Sequence, residues 1–537
     1  MYQEVNESMD EKRDNFFRET SDDYNFTYNS ARNRVIDGMG NEGVYVSNFD
    51  LDNSADLLTV GGNYPVLYDN LGNKLSIDRR FEDVDGYVRS AHFFDANNNG
   101  FDDLILIRRG NSPVFYQNQN GNYIRKENVI ENNLGNPMGA VSGDFSGNDC
   151  NDLFIYQNGD HNNRRAMIFD EIKEIREKPE QRISAKTGRR NLLFTNSCNN
   201  SEIEFEAKKL EGKEWSLAAS AADFNDDGRL DIHIANDFYR DVILVNTENG
   251  FNKTYMSYET RRHGMASEIA DFSGNGKPDI FVTNINFGEK SLENKSCLIS
   301  LAKNKCSIEK KENYYPLVHN FEGNNLLVNQ GGLEFKDLAE EKGVSKGGWG
   351  WSSNVADFTN NGKVDITHSN SYSYLYQDSK NINTINFWEG REDGFKKKTD
   401  IGFTPGNRRG IARIDLNQDG CMDIVTANRD PSFNYEAKKF EIYTNTGCSE
   451  GSIQIRLKAN NSEIKGSKVT LMTNKGRQVR FPNSRSNFLS QSSRVLHFGL
   501  AKGETAEKIR IEFLNKTERT YDIEGKSESD ILEISRY

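Results

Sequence analysis

No run of eighteen apolar residues occurs anywhere in the chain, which excludes a membrane-spanning helix. The first residues, Met1-Tyr-Gln-Glu-Val-Asn-Glu-Ser, hold no apolar signal core, so either a signal peptide has been removed or the chain is not exported by that route. Positive charge is in deficit: 68 Lys and Arg against 81 Asp and Glu leave −13 at pH 7, which argues against the basic face of a nucleic-acid binder. Proline is scarce, at 9 in 537 residues, and histidine scarcer, at 7. Neither a strand-to-helix nucleophile elbow, a His-Glu-x-x-His helix nor a phosphate-cradling Gly-x-x-x-x-Gly-Lys-Ser/Thr loop is present, so the commonest hydrolase, metalloprotease and nucleotide-binding signatures fall away.

What the chain has instead is a nine-residue pattern written seven times. It places an oxygen-bearing side chain at positions 1, 3 and 5, usually Gly at 6, Asp at 9, and then an apolar β-rich run. The four key positions are Asn48, Asp50, Asp52 and Asp56; Asp95, Asn97, Asn99 and Asp103; Asp144, Ser146, Asn148 and Asp152; and Asp223, Asn225, Asp227 and Asp231. They continue as Asp271, Ser273, Asn275 and Asp279; Asp357, Thr359, Asn361 and Asp365; and Asp415, Asn417, Asp419 and Asp423. Oxygens on alternate residues, a turn and a closing acid suit a hard cation with six to eight oxygen ligands, so up to seven Ca2+ sites are expected. An EF-hand would close with Glu at position 12 between helices, whereas here Leu-Leu-Thr-Val, Leu-Ile-Leu-Ile and Ile-Phe-Val-Thr follow, which are strands. The alternative, that these are ordinary Asp-Asn-Gly hairpin turns, weakens with each copy. Loop positions 1, 3, 5 and 9 hold seventeen carboxylates, which would repel one another without metal. Asp226, at a position that supplies no ligand, is expected to be neutral to substitution.

Six cysteines occur. Cys150 and Cys421 both take position 7 of a loop, and each is followed by a cysteine just past an equivalent strand end, Cys198 and Cys448. Fifteen pairings are possible, but the repeated placement favours 150–198 and 421–448 and leaves Cys297–Cys306 as a local clip. Disulfides point to an oxidising compartment, hence a secreted, periplasmic or cell-surface protein.

The position-9 aspartates recur at a basic spacing near 48, as four-stranded propeller blades would. The expected fold is all-β: an N-terminal polar arm over 1–25, a seven-bladed β-propeller over 26–450, and a small β-sandwich-like domain over 451–537. Extra length falls at His161–Arg190, with a helix-like charged stretch, at Phe287–His319 and at Ser371–Thr384. If each loop turns the innermost strand into the second at one face, all three insertions emerge at the other. That face also receives Arg89, Trp215, Arg261, Arg262, His263, Trp349, Trp351, Arg408, Arg409, Asn236, Asp237, Tyr239, Asn284, Asn370, Asn428, Arg429 and Asp430.

The repeats resemble the FG-GAP (VCBS, integrin-α-like) repeats. Lys346-Gly-Gly-Trp-Gly-Trp-Ser-Ser-Asn-Val-Ala-Asp-Phe, Ile234-Ala-Asn-Asp-Phe-Tyr-Arg-Asp, Arg408-Arg-Gly-Ile-Ala and Leu489-Ser-Gln-Ser-Ser-Arg-Val-Leu-His-Phe-Gly-Leu together resemble the cartilage acidic protein family, secreted propellers that end in an ASPIC/UnbV domain. The residues themselves lead to a calcium-binding recognition or adhesion protein. Trp349, Trp351, Arg261, Asn236 and exposed Arg408 and Arg409 would hold a protein, glycan or small-molecule ligand at the channel mouth opposite calcium, through guanidinium forks and aromatic stacking. The alternative is a propeller enzyme of cyclase, lyase or hydrolase type, with His263, Asp237 and His368 as acid–base groups and Arg408 and Arg409 stabilising an anion.

Overall fold

The computed structural model describes residues 16–24, 26, 42–130, 134–159, 188–198, 203–256, 263–285, 323–370, 384–428, 440–458 and 464–535, with short gaps at 53, 62–63, 73, 238, 405, 450, 483–484 and 526–530. Every named element among the described residues is a strand. Nine sheets form among the described residues, and seven follow one plan. A buried first strand (Gly43–Ser47, Val88–Phe94, Pro137–Gly143, Trp215–Ala222, Ala266–Ala270, Gly350–Ala356 or Arg408–Ile414) turns through a repeat loop into a second strand that begins on the position-9 aspartate. Third and fourth strands continue outward as an antiparallel meander. The first strands neighbour one another in chain order, and Arg408–Ile414 lies beside Gly43–Ser47. This is a β-propeller architecture, its innermost strand edges turned to a common axis.

The loops explain how the sheets are fastened. In each, one oxygen of the position-9 carboxylate accepts the N–H of position 2 or 3, as in Phe49 to Asp56 at 3.0 Å, Ala96 to Asp103 at 2.8 Å and Thr359 to Asp365 at 2.9 Å. The other oxygen accepts the N–H of a third-strand residue: Asn70, Asn118, Asn196, Asn246, Asn329, Gly390 and Asn445, all within 3.0 Å. Six of those seven residues are asparagines whose amide crosses to the preceding sheet and donates to its position-2 carbonyl. The acceptors are Leu416, Phe49, Ala96, Phe145, Phe224 and Phe358, at 2.6–3.0 Å. Asn70 to Leu416 joins the first sheet to the last.

Positions 4 and 6 carry the turn. Leu51, Asn98, Asp226, Asn360 and Gln418 at position 4 have φ between 52° and 64°, and Gly100, Gly228, Gly362 and Gly420 at position 6 lie at 84–88°. Asp226 is therefore not neutral as expected: it adopts a left-handed conformation that Ala resists, and it pairs with Lys516. The expected disulfides form, Cys150–Cys198 and Cys421–Cys448, each beside the asparagine that ends a third strand. Cys297 and Cys306 lie outside the described residues, as do Arg261, Arg262, Arg429 and Asp430 and the three insertions apart from a few end residues.

The loose arm expected over 1–25 is corrected for its second half. Phe17–Glu19 pairs antiparallel with Phe440–Asn445 and becomes the outermost strand of the seventh sheet. Phe17 is fully buried and stacks on Phe403 at 4.6 Å. That sheet has only three strands of its own, and the adjacent apolar pair Phe16-Phe17 supplies what a fourth must bury.

Beyond residue 451 two sheets share one apolar core that includes Ile453, Ile455, Val469, Leu471, Phe498 and Ile509. Asn246→Ala, which removes one crossing between the third and fourth sheets and strands a buried carbonyl, should cost about 1–3 kcal/mol in urea unfolding; an unchanged midpoint would contradict the crossing's role.

Candidate binding face and the filled channel

First strands at the centre of a propeller leave their inner N–H and C=O groups unpaired, and buried groups of that kind need partners. Here the partner is the C-terminal domain. Its backbone at Arg485–Ser486 pairs antiparallel with Ala219 and Ser220, and Ser490–Gln491 pairs parallel with Val44 and Tyr45. The Gln491 amide accepts from Phe93 N–H at 2.8 Å and donates to Phe93 C=O at 3.0 Å. Ser493 N–H donates to Arg413 C=O at 3.1 Å, and the Ser492 hydroxyl accepts from Arg413 N–H at 3.2 Å. Phe488 and Leu489, both buried, form the tip. The channel is filled by chain.

The same domain sits on the loop face. Lys516 lies 3.5 Å from Asp223, the Gln454 amide donates to Asp415, Arg494 pairs with Asp102, and Lys465 donates to Ser142 at 2.7 Å and Asn151 at 3.0 Å. His497 Nε2 meets the Gly420 carbonyl at 3.0 Å.

At the opposite end, register shifts in five of the first strands set Arg89, Met138, Leu217, Trp351 and Arg409 at bulges, which re-aim side chains. The expectation of exposed arginine forks is corrected. Arg409 is 2% exposed and packs over Trp351 at 3.8 Å. Arg408, at 1%, is spent on Glu441, on Thr404 and on the Tyr443 hydroxyl. Trp351 is buried too, with the Phe488 edge 4.8 Å away and Trp349 stacked at 6.2 Å. These groups close the channel over the tip. His368 is buried, its pKa pulled down to about 3 chiefly by burial, which disfavours the charged ring, and bonded to Asn386 at 3.1 Å. Trp215 is likewise packed away.

Two candidates do come together. Strand Asp231–Asp237 ends in Asp237, whose carboxylate stands 2.9 Å from His263 Nδ1. Beside it Asn236 accepts from Ser216 at 2.9 Å, and its N–H donates to Asp241 at 2.9 Å. A Cβ at Gly264 would stand 2.7 Å from Asp241 Oδ1 and 3.0 Å from Ala235 Cβ, so a side chain after His263 would force its neighbours to shift. Burial raises Asp241 to about 8. Gly447-Cys-Ser449-Glu-Gly451 does spell Gly-x-Ser-x-Gly, but it leads from strand to strand and Cys448 is bridged, so it makes no nucleophile elbow.

The loop carboxylates are densely bonded. Position 1 accepts N–H groups from positions 5 and 6, as at Asp95, Asp223 and Asp357. No cluster of three or more His, Cys, Asp or Glu side chains among the described residues is placed to hold a metal; the residues that could do so combine carboxylates with Asn, Ser and Thr oxygens. Two position-1 oxygens, Oδ1 of Asn48 and Oδ1 of Asp271, are buried with no hydrogen-bond donor. Burial, opposed by the backbone N–H bonds, raises Asp56 and Asp103 to about 8, Asp231 and Asp279 to about 7, and Asp152 to about 6.

The domain that fills the channel also carries the family signal. Residues 457–533 match the family described as ASPIC and UnbV. Residues 223–282, from the fourth loop into the fifth sheet, match the FG-GAP-like repeat. No curated protein matches. Among solved structures, an Agrocybe aegerita lectin described for recognition of non-reducing terminal N-acetylglucosamine is 15% identical, with a TM-score of 0.41 over 75% of this chain and 94% of its own. The BP39L lectin of Burkholderia pseudomallei is 9% identical, TM-score 0.43, over 76% and 97%. The Myceliophthora thermophila Cps50 (Swd1) β-propeller domain is 8% identical, TM-score 0.39, over 78% and 99%. The ASPIC/UnbV domain thus spans the two elements that sequence reasoning left unconnected, the loop face and the channel. The signal was present in Leu489-Ser-Gln-Ser-Ser, a run of small and amide side chains too polar for the core it enters.

Acids whose pKa is raised by folding favour the folded state most below their unfolded value near 3.9 and lose that contribution as pH climbs through the folded value. In divalent-free buffer, ionisation of these loop acids should therefore lower the melting temperature as pH rises from about 4 to about 8; a melting temperature that climbs across that window would contradict the burial argument.

Proposed function

We propose that this chain is a secreted, seven-bladed propeller stabilised by calcium, which binds a protein, glycan or small-molecule ligand on the face away from its repeat loops. The observation that carries this reading is the seated ASPIC/UnbV domain: it covers the loop face and fills the channel, and among the described residues it does not cover the opposite face. On that face Trp349 stays partly exposed, beside the closed channel end, and the Asp237–His263 pair lies at the end of its strand. Calcium is supported by the chemistry of the loops, where buried carboxylates repel one another and Asp271 keeps an unpartnered oxygen. Two disulfides fit an oxidising compartment.

A second reading, an enzyme, is favoured by one contact. Asp237 holding His263 Nδ1 at 2.9 Å would fix the imidazole tautomer, an arrangement used in general acid–base catalysis.

Chelation should lower the melting temperature, since ligand bound only to the folded state stabilises it by RT ln(1+[L]/Kd) per site; identical melting in excess EGTA and in millimolar calcium would refute the metal. Asp227→Ala and Asp419→Ala should each reduce the calcium-dependent shift, while Arg229→Ala in the same loop should not. On glycan and lipid arrays, Trp349→Ala should lose binding about tenfold or more, as expected for an aromatic platform, with calcium-dependent melting intact. Asp237→Asn separates the two readings, because it should spare binding yet abolish any turnover.

A further inference from the structure

Six of the seven sheet-to-sheet seams carry an asparagine that donates to the position-2 carbonyl of the preceding sheet. The seam between the fifth and sixth sheets does not. Its third strand presents Gly390, which keeps the backbone bond to Asp365 at 2.7 Å but has no amide to send to Phe272. A side chain there is barred as well, for a Cβ would stand 2.3 Å from the Val364 carbonyl oxygen. Packing is also incomplete: Ile269 and Ala270 of the fifth sheet and Val355 and Ala356 of the sixth line a cavity of about 20 Å3.

The ASPIC/UnbV domain meets this seam twice. Asn487, 3% exposed at the tip of the channel segment, uses its amide to donate both to the Glu268 carboxylate, on the first strand of the fifth sheet, and to the Ser353 carbonyl, on the first strand of the sixth. That is the same chemistry as the missing crossing, supplied from another part of the chain. Arg480 lies over the outer end. It lines the cavity with Phe481 and Leu496, and its guanidinium donates to the His497 carbonyl at 2.9 Å within the same domain.

We propose that the fifth-to-sixth seam takes from the ASPIC/UnbV domain the amide bond that a propeller asparagine supplies at the other six, so that seating of the domain tightens this seam more than the rest. The far end of the seam is joined within the propeller, by Thr283 donating to the Trp351 carbonyl at 3.2 Å and Gly350 N–H to the Asn284 carbonyl at 3.1 Å. Weakening the domain's hold here would then loosen this seam before the six that carry their own crossing.

Hydrogen exchange of the full chain, read by mass spectrometry at fixed calcium, tests this. Asn487→Asp keeps the size of the side chain and removes both N–H donors; Arg480→Gln removes the outer charge. Each should speed exchange about tenfold in Ala266–Ala270 and Gly350–Ala356, the expected size for losing one or two buried bonds in a local opening, and leave Val88–Phe94 and Pro137–Gly143 unchanged. Asn246→Ala should instead speed exchange where the third sheet meets the fourth. Equal acceleration at every seam, or none at the fifth-to-sixth, would overturn the proposal; half-buried Arg480→Gln gives the reading alone should Asn487→Asp not fold.

Discussion

The repeat rests on one carboxylate. An aspartate at position 9 is buried at the start of a second strand and gives one oxygen to its own loop and the other to the third strand. Loop closure and strand order are fixed by the same side chain. The asparagine whose N–H donates the second bond then carries the link outward to the neighbouring sheet, so a hydrogen bond within one blade and a hydrogen bond between two blades share a residue. A buried ionised group is tolerated only when it is paired or bonded on all sides, and the two N–H bonds meet part of that cost. The remainder is what a cation would neutralise.

The second constraint is the inner edge. A ring of first strands has no outward partner for its innermost backbone groups. In this molecule the C-terminal domain answers with backbone pairing at two strands and amide or hydroxyl bonds at several more. The arginines and tryptophans of the far end then pack on the inserted tip. What looked like ligand chemistry in the sequence is in large part the closure of a core, with Arg409 flat on Trp351 and Arg408 held by Glu441.

The loops, their joining of strands and the two disulfides could all be read from the sequence, because each depends on short-range spacing that repeats. Other features depended on partners far away in sequence. Phe17 becomes a strand only because the seventh sheet lacks one, some 420 residues later. The crossing asparagines vary in their distance from the loop, since insertions fall between second and third strands, and a fixed spacing could not find them. Burial of Arg408 and Arg409 follows from bulges and from Glu441 and Phe488, none of which their own neighbourhood announces. Asp237 and His263, 26 residues apart, were listed together on chemistry alone, and the turn at Asp241 and Gly264 brought them into contact.

The central claim is that propeller and ASPIC/UnbV domain are one folding unit joined through the channel. Scanning calorimetry of the intact chain in calcium measures that directly. One transition, with equal calorimetric and van't Hoff enthalpies, is the expected result; a separate transition for the C-terminal domain, reversible while the propeller stays folded, would contradict it.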